Sequence, residues 1–248
     1  MNHSYLIPYP YTVTIATLLT VTIVLLVVYR NKIDWFKYWN SLGFAWILGV
    51  MEIADLENNG NVPSWYFPDG SALFGVAWGN VYWEDIFFVP SCFSLFYLFM
   101  WWLNRFEFVK KDVLPKWTYI YWIFAAIILE AWIFQVAGKG IENLMIAYTL
   151  IPLILFVNYC QSTKTKINVT HAITTLFFIG LFSMAWELFN VWRQHWVYDT
   201  TCDLMGDNGW IMNGKLHLGI FFQYAYSGFV IVYTCCTVFG DKRWRPQL

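Results

Sequence analysis

Charge is scarce in this sequence, and its scarcity excludes several classes of protein at the outset. Aspartate, glutamate, lysine and arginine make up 12% of 248 residues, about half the share found in a soluble domain. Fifteen basic and sixteen acidic residues leave a net charge of −1, so there is no cationic surface to hold a phosphate backbone, and no nucleic-acid partner is expected. Histidine is scarcer still. His3, His171, His195 and His217 are the whole supply, none of them in an i,i+3 or i,i+4 pair, and no metal is expected. The five cysteines, Cys92, Cys160, Cys202, Cys235 and Cys236, contain no C-x-x-C pair and predict no disulfide framework. A retinal-binding pump would need a lysine deep in its last apolar run; residues 216–239 contain none, and Lys215 lies only at the mouth. No cofactor is implied by any motif.

Apolar residues fill the space left by charge. They make up 59% of the chain and gather into seven runs, approximately 11–29, 36–53, 82–103, 117–137, 144–160, 169–189 and 216–239. Each is close to the length needed to cross about 30 Å of hydrocarbon at ~1.5 Å per residue. The first lacks the basic flank and small-residue cleavage site of a signal peptide, and reads as a retained helix. The expected fold is therefore an all-α integral membrane protein with seven transmembrane helices. The basic residues test this independently, because short cytoplasmic loops are enriched in them. Twelve of the fifteen fall on one side of such a layout, leaving Lys139, Arg193 and Lys215 on the other. The N-terminus is then expected outside and the C-terminus in the cytoplasm, with the long loops 54–81 and 190–215 facing out.

Those loops and their flanking helices form an internal repeat. The second helix ends with Glu52, Asp55 and Asn59, and the sixth with Glu187, Asn190 and Gln194, both at i, i+3 and i+7. This spacing places each set on one helical face. Each loop then carries an aromatic knot, Trp65-Tyr66-Phe67 or Trp196-Val197-Tyr198, and each next helix is entered through Ile-Phe-Phe, at 86–88 and 220–222. The chain is thus read as one membrane domain, 1–248, made of repeat one (10–103), a linker helix (117–137) and repeat two (142–239). Both repeats have the same orientation, so the relation is parallel, and a site between the halves is expected.

Intramembrane carboxylates cost about 2.5–3.5 kcal/mol at a helix centre and are functional candidates by default. Glu52, Glu84, Asp85, Glu130 and Glu187 qualify. Glu130 lies in the linker helix and has no counterpart in the repeat. Glu84 and Asp85 stand in the first turn of the third helix, where free N–H groups favour carboxylates and simple capping is the plain explanation. Their setting, Val81-Tyr82-Trp83-Glu84-Asp85-Ile86-Phe87-Phe88, is nevertheless aromatic, an environment that keeps a proton available on one of them.

This segment resembles the Pro-x-Glu-(Glu/Asp)-x-x-Phe signature of the heterodimeric-type, bacterial, archaeal and fungal lycopene cyclases. Glu84, Asp85 and Phe88 match, and Tyr82 stands in place of the proline. The Trp-x-Phe loop at Trp65 and Phe67 and the approach from Gly75 to Gly79 follow the same order, so the resemblance spans about residues 10–103. In the second half His217, Leu218 and Gly219 stand opposite Trp83, Glu84 and Asp85, and that copy has lost both acids. Ala185-Trp186-Glu187 is similar to a stretch of the membrane-bound terpene cyclases of meroterpenoid pathways.

The resemblance implies non-redox, acid-initiated cyclisation of a lipophilic isoprenoid chain, a carotenoid or another terpenoid, through a carbocation, with no cofactor. It makes Glu84 or Asp85 the proton donor, Glu52 and Glu187 the partner acid or base, and Trp65, Trp83, Trp186 and Trp196 the walls that stabilise the cation, at ~2 kcal/mol or more per desolvated aromatic face. Tryptophan also collects at membrane interfaces, which is the plain explanation of the same residues. The competing reading is a membrane transporter or binding protein that holds a small cationic or lipophilic ligand at the same interface without turnover.

Overall fold

A computed structural model of the chain describes residues 8–58, 65–79, 81–106, 151–163, 168–198, 210–217 and 228–239. The linker helix with Glu130, Asn59, and the Ile-Phe-Phe at 220–222 lie outside the described residues. In order, the elements are α1 (Pro10–Tyr29), α2 (Trp35–Asn58), strands β1 (Trp65–Tyr66), β2 (Val76–Trp78) and β3 (Val81–Tyr82), α3 (Trp83–Leu103), α4 (Ile151–Thr163), α5 (Val169–Trp192), strands β4 (Val197–Tyr198), β5 (Trp210–Ile211) and β6 (Leu216–His217), and α6 (Gly228–Phe239). Among the described residues, three stretches are long and apolar enough to cross a membrane: Pro10–Lys32, Trp83–Leu103 and Thr170–Trp192.

Helix α1 starts with Pro10 in its first turn, where the missing N–H costs nothing. Its outward side is apolar and exposed at Val13, Val21, Ile23, Val24, Val27 and Val28, which suits contact with lipid. Thr14, Thr17, Thr20 and Thr22 all turn their hydroxyls back onto the carbonyl four residues earlier, so each polar group is satisfied inside its own helix. Thr12 does not, and its partner lies in the site described below.

Helix α3 is the hub, packing against α1, α2 and α5. Pro90 sits inside it and cannot donate to the carbonyl of Ile86. That carbonyl instead accepts the indole N–H of Trp46 from α2 at 2.9 Å, so the break in the ladder becomes a cross-link between helices. The same two helices approach closely at Gly49, where a Cβ would lie 2.7 Å from Val89. At the opposite end, His171 ties three helices together. Its Nδ1 pairs with the hydroxyl of Tyr233 at 2.8 Å, and its Nε2 with the carbonyl of Met100 at 3.1 Å.

Two boundaries differ from the sequence reading. Tyr82 is extended and caps α3 from outside. Leu216 and His217 belong to β6, which pairs with β5 in the register Trp210↔His217 and Ile211↔Leu216, rather than starting the last helix. Positive φ at Met212, Asn213 and Gly214 closes that hairpin, and a turn of this kind ends a helical run whatever the apolarity of the residues after it.

Candidate functional site

The site lies at the ends of α1, α3 and α5, where the segments 65–79 and 193–198 fold over the helices. The two aromatic knots meet there directly: β1 and β4 pair antiparallel, Trp65↔Tyr198 and Tyr66↔Val197. The Ser71 hydroxyl donates to the carbonyl of His195, a second tie between the two segments. Backbone N–H groups of Tyr9 and Tyr11 donate to Gly70 and Ser71 at 3.1 and 3.0 Å, which fixes the start of α1 in the same assembly.

Beneath this cover is a small cavity of ≈20 Å³ lined by both Asp85 and Glu187 and by Trp65, Phe67, Trp186 and Trp196. Asp85 is 5% exposed and Glu187 2%. Each carboxyl is held by a tyrosine. The Tyr11 hydroxyl donates to Asp85 Oδ1 at 2.6 Å, and the Tyr198 hydroxyl to Glu187 Oε2 at 2.7 Å. The backbone N–H of Tyr82 also bonds the Asp85 carboxyl, one half of a capping box, and the Trp196 side chain bonds that of Glu187. Asp85 Oδ2, like Glu84 Oε2, is buried with no hydrogen-bond partner among the described residues, but only Asp85 lines the cavity. Burial holds the Tyr198 phenol well above the usual tyrosine range, with the Glu187 charge adding to the effect, so this hydroxyl stays a donor.

The aromatic walls are ordered by their own contacts. Tyr11 stacks on Phe67 at 4.7 Å and meets Trp196 edge-on at 5.3 Å. Trp186 stacks on Phe88 at 4.9 Å. Offset stacks and edge-to-face pairs of this kind fix ring orientation as well as burying area.

The neighbouring acid is used differently. Glu84 Oε1 accepts from the Thr12 hydroxyl at 2.5 Å and from the backbone N–H groups of Leu73 and Phe74 at 2.9 and 3.0 Å. It therefore pins the covering segment to α1 and α3 and lines no part of the cavity. Glu52 borders a separate, mostly apolar chamber of ≈70 Å³ together with Phe88, Phe182 and Ser183. Ile53 is common to the walls of both spaces.

Of the five acids singled out from sequence, Glu130 lies outside the described residues; the structure brings Asp85 and Glu187 together, places Glu84 beside them in a bonding role, and puts Glu52 in the adjoining chamber. The side chain of Asp55 lies outside the described residues. Of the four tryptophans, Trp65, Trp186 and Trp196 line the cavity. Trp83 is 45% exposed and faces away, because one helical step of ~100° from Glu84 turns it outward. Sequence reasoning missed Tyr11, Tyr198 and Phe67 as site residues. The available signal was a tyrosine next to Pro10 at the level of the acids, together with two aromatics inside the knots already noticed.

Among the described residues no group of three His, Cys, Asp or Glu side chains is placed to hold a metal ion. No known protein family, curated protein or solved structure matches the chain.

Proposed function

We propose that this protein is an intramembrane isoprenoid cyclase that starts its reaction with a proton from Asp85 and ends it by returning a proton to Glu187. The observation that carries this reading is the placement of two buried carboxyls in the lining of one aromatic cavity, one of them with a buried oxygen that has no hydrogen-bond partner among the described residues. The similarity of Glu84, Asp85 and Phe88 to the lycopene cyclase signature points the same way. The wider architecture in this reading is the seven-helix one, two parallel three-helix repeats and a linker, with the N-terminus outside; the pairing of β1 with β4 supports it by bringing corresponding loops into contact.

The chemistry balances without a cofactor. Proton transfer from Asp85 Oδ2 to a terminal alkene carbon forms a C–H bond, consumes the π bond and leaves a tertiary cation. A second alkene attacks it, closing a ring and moving the positive charge to the other end of that bond. Glu187 removes a proton next to the new cation and restores an alkene, so the product is an isomer of the substrate. Trp65, Trp186 and Trp196 present faces that stabilise the desolvated cation, and exclusion of water prevents its capture as an alcohol. The cavity has room for a single water, enough to carry the proton from Glu187 back to Asp85.

The test is expression in cells making lycopene, with geranylgeranyl and shorter prenyl substrates supplied to membranes in parallel, and mass spectrometry for new isomers of unchanged mass. Asp85→Asn is expected to abolish the isomer, and Glu187→Gln to lower its yield about 10²–10⁴-fold, the usual contribution of a positioned acid or base. Binding of a polyene without any isomer would favour the transport or binding reading.

A further inference from the structure

The acid cavity is too small for its proposed task, and the adjoining spaces show where the substrate must lie. A cavity of about 150 Å³ accommodates a benzene ring, whereas the space lined by Asp85 and Glu187 is ≈20 Å³. It must merge with a neighbour when loaded. The chamber beside Glu52 adds ≈70 Å³, still short of one ring. A groove between α1 and α5 offers ≈510 Å³ and shares the Trp186 wall with the acid cavity. Volume therefore favours the groove.

Its chemistry agrees. On α1 the lining runs from Pro10 to Val21, about 16 Å at 1.5 Å per residue, long enough for several isoprene units in extended form. Thr14 and Thr17 face it but spend their hydroxyls on the carbonyls of Pro10 and Val13, both at 2.8 Å. The wall therefore presents methyl groups rather than polar hydrogens. Trp186 and Phe189 supply aromatic surface on the α5 side, and the remaining polar residues of the lining, Arg193 and His195, lie beyond the C-terminal end of α5. Burial, with Arg193 adding, keeps the His195 imidazole neutral by lowering its pKa to about 4. Of the two, only Arg193 adds charge.

We infer that the α1/α5 groove is the bilayer-facing binding site for the unreacted length of the isoprenoid chain, with the Trp186 indole as the partition that it shares with the Asp85 cavity, past which the reacting end reaches the acid. This rests on the cyclase reading for the identity of the ligand. It explains how a long polyene can be processed at one end while the rest stays beside lipid.

The test is photolabelling of membranes with all-trans-geranylgeraniol carrying a terminal diazirine, read by peptide mass spectrometry, with a diazirine phosphatidylcholine as a parallel arm. The isoprenoid probe is expected on peptides covering 10–21 and 186–195, in wild type and Asp85→Asn alike, and to be competed by unlabelled geranylgeraniol. Val13→Trp and Thr17→Trp, both at exposed positions, should fill the groove and lower labelling about tenfold. Val24→Trp, also exposed on α1 but outside the groove, should leave it unchanged. Labelling confined to other peptides, labelling that the two groove substitutions leave intact, or equal labelling and competition by phosphatidylcholine would overturn the assignment. Because Asp85→Asn is labelled without chemistry, loss of the cyclase reading would show separately, as labelling without isomer formation.

Discussion

Tyr11→Phe isolates the contribution of a single hydroxyl to the proposed proton donor. The change keeps the ring that stacks on Phe67 and meets Trp196 and removes the oxygen that donates to Asp85 Oδ1 at 2.6 Å. Asp85 then keeps the bond from the Tyr82 backbone but loses the group that sets the rotation of its carboxyl, and with it the aim of Oδ2. The acid that donates is protonated, and a hydrogen bond between neutral groups contributes about 0.5–1.5 kcal/mol. If that energy holds the acid in its reactive orientation, kcat should fall about twofold to tenfold, at 1.36 kcal/mol per decade. KM should stay near its original value, because the hydroxyl is spent on Asp85 rather than on an apolar chain. The assay is initial-rate isomer formation in membranes over a range of substrate concentrations, with Asp85→Asn as the zero reference. A Tyr11→Phe enzyme with wild-type kcat, measured beside an inactive Asp85→Asn, would refute the positioning role. A rise in KM at constant kcat would instead make Tyr11 a wall of the binding site.

The two adjacent acids should separate cleanly. Glu84→Gln keeps a carbonyl oxygen for Thr12, Leu73 and Phe74 and should retain most activity, whereas Glu84→Ala should lower the thermal midpoint by the equivalent of about 1.5–3 kcal/mol, read by thermal unfolding in detergent. Gly49→Ala places a methyl 2.7 Å from Val89 and should cost about 1–3 kcal/mol by overpacking, with Val89→Ala restoring part of it in the double variant. Stability should depend on pH through His195, whose folded pKa of about 4 lies below the unfolded value of ~6.5. Above pH ~6.5 both states are neutral and nothing changes; between ~6.5 and 4 the unfolded state takes up a proton that the folded state refuses, and stability falls as the solution becomes more acid. His195→Asn should flatten that part of a thermal-inactivation profile.

The three membrane-length helices and the burial of the acids at 52, 84, 85 and 187 were legible in the sequence because both are signals that composition carries. The twenty residues from Pro10 to Tyr29, uncharged and broken only by threonines, have few alternatives to a spanning helix, and a carboxylate inside such a run stands out by its cost. Partners were not legible. Tyr11 and Asp85 are 74 residues apart and Ser71 and His195 are 124 apart, and no local pattern encodes a contact that only folding creates. The start of the last helix was misjudged for a related reason. Leu216 and His217 follow an apolar logic, but the turn at Met212 to Gly214 commits them to pairing with Trp210 and Ile211. The knots at Trp65 and Trp196 were read as equivalent, and the pairing of β1 with β4 puts them side by side.

The unused oxygen of Asp85 is the strongest reason to look for chemistry rather than for capping. A helix N-terminus can be satisfied by Ser, Thr, Asn or Asp alone, and at α3 the capping bond, from the Tyr82 backbone N–H, goes to the Asp85 carboxyl. That bond leaves the other oxygen of a carboxyl at 85 with no role at the helix end. It costs about 1–3 kcal/mol for a buried acceptor left unsatisfied, and Asp85 Oδ2 is such an atom. Serine or asparagine at 85 would avoid placing a second carboxyl there, so retention of the acid needs a benefit outside stability. Glu187 faces the same cavity from α5 with its own tyrosine, so the arrangement is met twice in one small space. Two acids arranged so that each has one oxygen fixed by a phenol suit a pair that passes a proton across a bound hydrocarbon. Capping explains only one of them, because Glu187 lies near the C-terminal end of its helix, where the macrodipole disfavours negative charge.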